Sequence, residues 1–127
     1  MRIAVRVEPE ELPEEFAARI RAATAHARVR IIHPSPMADF PERYEVHALS
    51  GDRLVWMILA FRPDLSVYES TETYLVSQLT AVEMGSDDAL LQVAANGGER
   101  SLVVPLELGW AVLDELGLGG EAVPAES

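Results

Sequence analysis

The chain contains no cysteine and no lysine. Without cysteine there can be no disulfide, no thiolate metal site and no thiol nucleophile. Without lysine there is no P-loop lysine, no Schiff base and no Ser–Lys pair, since all ten basic residues are Arg. Aromatic residues make up only 6% of the chain, so each of the two Trp, three Tyr and three Phe is a scarce packing element. No apolar run reaches the ~20 residues that a membrane-spanning helix needs. No cleavable signal precedes the first expected strand, and the expected location is the cytoplasm. The patterns G-x-x-x-x-G-K-S/T, G-x-G-x-x-G after a strand, H-E-x-x-H and G-x-S-x-G are all missing. The sequence therefore nominates no catalytic residue, no cofactor and no metal ion, and it leans away from an enzyme.

What remains is a chain of 127 residues, 49% hydrophobic and 24% charged, which is a globular composition. The length suits one domain, expected over residues 1–118, with a flexible acidic tail over 119–127. Exclusive use of Arg with abundant Ala, Leu, Val and Gly fits a GC-rich bacterial genome. The formal net charge of −11 is unevenly placed. Residues 1–62 hold nine Arg and nine acids, whereas residues 63–127 hold twelve acids and only Arg100. The second half would repel phosphate backbones and anionic membranes, so neither nucleic acid nor membrane is an expected partner. A cationic protein would be steered towards it. Glu69, Glu72, Glu83, Asp87, Asp88 and Trp110 are the candidate interaction residues on this reading.

Hydrophobic periodicity divides the chain into short elements. Alternation predicts strands over 1–7, 28–33, 43–49, 53–62, 89–95 and 100–104. Helical spacing of Phe16, Ile20, Ala23 and Ala27 after Pro13 predicts a helix over 13–26, with Glu15 and Arg19 paired on its outer face. Three prolines make 33–41 a loop, and 63–70 reads as a connection. The stretch 73–84 mixes both periods and is assigned to a strand on its Thr, Tyr and Val content. A last helix over 105–117 carries the stripe Leu106, Gly109, Trp110, Leu113 and Leu116. Trp110 is expected to anchor it on a sheet, with Gly117 as its left-handed stop. The expected fold is α+β: a mostly antiparallel sheet of five to seven strands with two helices packed on one side.

Register then selects a patch. A Gly51–Asp52 turn pairs Ser50 with Arg53, His47 with Trp56 and Glu45 with Ile58. Pairing His33 with Tyr44 would gather Val29, Ile31 and His33 beside Ala48, Val46 and Tyr44. Tyr44, Val46, Met57 and Leu59 would then be buried opposite His47. The other face would carry Arg30, His47 and Trp56 in a row, with Glu45 one step away. Arg30 could hold an anion, His47 move a proton, Glu45 orient it and Trp56 stack on a ligand. Glu45 and His47 could share a metal ion, but two ligands do not make a site.

Two functions follow. The first is a non-enzymatic acidic module that binds another, basic, protein, as a regulator, inhibitor or immunity-type protein would. The alternative is a small enzyme or ligand-binding domain that uses Arg30, Glu45, His47 and Trp56. A homo-oligomer, joined through a sheet edge or the Trp110 helix, is a further expectation.

Overall fold

Pro13 stands immediately before helix α1 (Glu14–Ala23), and Glu14 and Glu15 occupy its electropositive end. The structure, a computed structural model, describes residues 6–95 and 97–117. After α1 come β1 (Ala27–Pro34), β2 (Arg43–Ser50), β3 (Arg53–Phe61), β4 (Val67–Leu75), β5 (Leu79–Met84), β6 (Asp88–Ala95), β7 (Gly98–Pro105) and α2 (Leu106–Glu115). The α+β class is as expected, but the single sheet is not. The strands form a four-stranded sheet in the order β1-β2-β3-β4 and a three-stranded sheet in the order β5-β6-β7, both antiparallel. The expected strand over 1–7 falls largely outside the described residues, as does the tail over 119–127. At its end, the Val7 amide donates to Ile32 O at 2.9 Å. Among the described residues, no helix is long and apolar enough to cross a membrane.

The switch between sheets corrects two expectations. Residues 63–70 are not only a connection, because β4 begins at Val67. The stretch 73–84 is not one strand, because the 3-10 turn Val76–Gln78 cuts it. Val76 is buried there, and its amide donates to Asp52 O at 2.8 Å. Gln78 accepts the Leu75 amide hydrogen bond on its side chain at 2.8 Å, satisfying a donor that the ending ladder leaves behind. The β2–β3 turn forms as expected. Gly51 has φ +64°, the left-handed value that the first central residue of a type II′ turn requires.

The four-stranded sheet is covered on both faces, which explains why β3 is apolar from Leu54 to Phe61. Phe16 and Ile20 of α1 pack on Ile32, Val46, Met57 and Leu59. On the other face Ile31, Leu49 and Leu54 meet Leu91, Leu102 and Val104 of the second sheet, together with Leu108 and Val112 of α2. The two helices therefore lie against opposite faces of the first sheet, not on one side. Val46, Met57 and Leu59 are buried with Tyr44 packed beside them, on the face opposite His47.

Helix α2 is rotated from its expected orientation. Leu108, Gly109, Ala111 and Val112 face inward. Trp110 is 48% exposed, and Leu116 is exposed as well. The expectation that Trp110 anchors the helix is therefore overturned. The physical reason is Gly109. A Cβ there would lie 2.6 Å from Ala89 Cβ and 3.0 Å from Met84 Sδ, so this bare position faces the sheet and turns its bulky neighbour outward. Trp110→Ala should accordingly lower stability by less than about 1 kcal/mol. A urea midpoint shift equivalent to 3 kcal/mol or more, the size expected of a buried aromatic, would contradict the observed packing.

Candidate functional site

Strand alternation places Glu45, His47 and Leu49 on the inter-sheet face of β2. Across β2 and β3 the register is the expected one, with His47 opposite Trp56 and Glu45 opposite Ile58. Across β1 and β2 it differs by one residue: His33 lies opposite Glu45 and Ile31 opposite His47. A β-bulge between Ala27 and Val29 accompanies this offset. Ile31 and Ile32 are both buried, one on each face, so alternation alone could not choose between registers.

The shift exchanges two candidate residues. Arg30 leaves the patch for the α1 face, where its guanidinium donates to Thr24 Oγ1 at 3.3 Å. His33 takes a place beside Glu45 and His47, its ring stacked on that of His47 at 5.5 Å and 5°. A cation lies over Trp56 from the second sheet, Arg100 at 5.3 Å from the ring centroid. Glu72, opposite Trp56 on β4, holds Arg100 through a two-pronged contact at 2.6 and 2.8 Å. The Tyr74 hydroxyl donates to the same carboxylate, and burial followed by this bond pushes the Tyr74 phenol up.

Beneath this bridge lies a cavity of about 290 Å³ between the sheets. Leu54, Leu91, Leu102, Val104 and Leu108 form its apolar walls, and Glu45, His47, Trp56, Tyr74 and Ser101 add polar groups. His47 is 4% exposed. Its Nε2 lies 3.5 Å from Glu45 Oε1. Both His47 Nδ1 and Trp56 Nε1 are buried without a hydrogen-bond partner. The His47 imidazole beside it holds the Glu45 carboxyl down at about 2. Burial opposes this, while the Ser35 hydroxyl and charge on His47 and His33 assist. Glu45 Oε2 is itself fixed by Ser35 Oγ at 3.1 Å and Arg43 Nη1 at 3.4 Å.

The candidate interaction acids are dispersed. Glu69 binds Arg19 at 3.1 Å, replacing the expected Glu15–Arg19 pair, and Glu72 belongs to the Arg100 bridge. Glu83 is exposed on β5, Asp87 lies in the turn before β6, and Asp88 opens β6. Arg6 reaches Glu107, and Arg28 reaches Asp114 and Glu115. Arginines of the neutral half thus meet acids of the acidic half, so the asymmetry along the chain is partly cancelled in space. Each exposed pair contributes only ~0–1 kcal/mol. Their importance here is electrostatic compensation.

The sequence reading left His33, Tyr74, Arg100 and Ser101 out of the patch and named Glu72 only as an interaction acid. Arg100 carried a signal, as the sole cation of residues 63–127. Comparison with protein-family models, curated proteins and solved structures finds no match.

Proposed function

We propose that the protein binds a small, largely apolar molecule between its two sheets. The observation that carries this reading is the cavity of about 290 Å³, into whose lining the chain brings His47 and Trp56, each with an unpaired buried polar atom. Leaving such an atom unsatisfied costs ~1–3 kcal/mol, so a ligand that pairs it gains affinity. Trp56 Nε1 can only donate. His47 Nδ1 accepts when Nε2 carries the proton towards Glu45. A hydroxyl group meets both demands, accepting from Trp56 and donating to His47. The volume lies at the lower end of small-molecule pockets, ~300–1,000 Å³, and suits a compact alcohol or phenol.

The test uses Trp56 as reporter. In a Trp110→Phe background it is the remaining Trp. Saturable energy transfer from Trp56 to the neutral dye N-phenyl-1-naphthylamine is expected, with displacement by phenols. Leu102→Phe, which adds bulk to the cavity from β7 without a second Trp, should weaken dye binding by ~10-fold or more while far-UV circular dichroism is retained. That factor corresponds to ~1.4 kcal/mol. Non-saturable dye uptake, or equal binding by the filled variant, would refute the reading.

A second reading, the protein-interaction module, is favoured by the exposed indole of Trp110 on α2, a side chain typical of interface anchors. Glu107 neighbours it and is already paired with Arg6. If this reading holds, Trp110→Ala abolishes partner capture without moving the stability midpoint.

A further inference from the structure

We infer that His33, Glu45 and His47 form a binding site for a divalent transition-metal ion of the zinc class. Adjacent strands bring them together. His33 faces Glu45 directly across β1 and β2, and His47 lies two residues along on the same face. One ligand atom from each lies within 4.8 Å of the others.

Three features point to a metal rather than to an ordinary polar cluster. The first is spacing. A charge-assisted N–H···O contact closes to ~2.7–2.9 Å, whereas His47 Nε2 and Glu45 Oε1 stand 3.5 Å apart. Two donors on one tetrahedral ion, with bonds of ~2.0–2.1 Å, are separated by ~3.3 Å. The second is the orientation of the donors. Ser35 and Arg43 hold Glu45 Oε2, leaving Oε1 towards the histidines. Such contacts behind the ligands fix ring and carboxylate orientation in metal sites. The third is burial. His47 is nearly enclosed, and its ring packs parallel to a second imidazole, so two nitrogen donors stand side by side. A metal requires both rings neutral and uses one nitrogen from each.

Two imidazoles and one carboxylate form a borderline donor set suited to Zn²⁺, with Co²⁺ and Ni²⁺ as replacements. Three protein ligands leave a position for water or another oxygen donor. The metal ion alone tests the inference; with an ion on His47 Nε2 the ring proton sits on Nδ1, and a hydroxyl in the cavity then accepts there instead of donating.

Tag-free protein titrated calorimetrically with Zn²⁺ should take up one equivalent. Titration with Co²⁺ should give the intense visible absorption of a low-coordinate site. His33→Ala, at a partly exposed position, should weaken Zn²⁺ binding by more than ~10-fold and remove the Co²⁺ bands, since even the loss of contacts behind a ligand costs 10–100-fold. Glu45→Gln should do the same. His26→Ala alters the remaining histidine and should change neither readout. Absence of stoichiometric uptake by the wild type, or a His33→Ala effect below ~10-fold in a variant with native circular dichroism, would overturn the assignment.

Discussion

Phe16→Ala is expected to remove about 3–5 kcal/mol of stability. Phe16 is fully buried beneath α1. Its ring stacks on Phe61 at 4.6 Å and meets Tyr44 edge-on at 5.8 Å. In a chain with so few aromatics this is a concentrated cluster, and it fastens α1 to the sheet face that carries Val46, Met57 and Leu59. The rest of α1 offers mainly Ala17, Ile20 and Ala23, which cannot refill the space. Against a typical domain stability of ~5–15 kcal/mol, the loss would be a large fraction of the total. The measurement is a urea transition followed by both Trp fluorescence and far-UV circular dichroism, with the slope unchanged and the midpoint lowered. Phe16→Leu keeps most of the buried volume and should retain much of the stability. A loss below about 1 kcal/mol for Phe16→Ala would mean that α1 contributes little to holding the sheet.

Gly109→Leu is the second substitution with a large effect, about 3 kcal/mol or more from overpacking. The inward face of α2 already touches β6 at this position, and the Cβ alone would lie 2.6 Å from Ala89 Cβ. Ala89 Cβ is fixed to the strand backbone and cannot swing away. Gly109→Ala should cost less, because a helical Ala recovers ~1 kcal/mol over Gly. Combining it with Ala89→Gly should restore part of the loss. The coupling between the two sites should fall within ~0.5–3 kcal/mol, as expected for residues in contact. Zero coupling would show that α2 shifts freely. Because Leu108 of the same helix lines the cavity, Gly109→Leu should also disturb dye binding at Trp56.

Much of the local structure was legible in the residues. Gly51 at a two-residue turn determined the β2–β3 register, and with it the pairing of His47 with Trp56. Pro13 and Pro105 marked the helix starts, and Gly117, at φ +81°, marked the end of α2. The β1–β2 register was not legible. A long proline-bearing loop joins those strands, so no turn geometry set their pairing, and the adjacent buried Ile31 and Ile32 gave each face an apolar claim. That single offset moved Arg30 out of the candidate site and His33 into it.

The sequence by itself determined the α+β class, the two-sided burial of β3 and the sharing of one face by Glu45, His47 and Trp56, because each depends on local periodicity or a short turn. Tertiary structure alone decided the division into two sheets, the outward rotation of Trp110 and the placing of Arg100 over Trp56. Those features depend on contacts between residues far apart in the chain, where local spacing carries no information. The same long-range packing forms the cavity, since one wall comes from β2, β3 and β4 and the other from β6, β7 and α2.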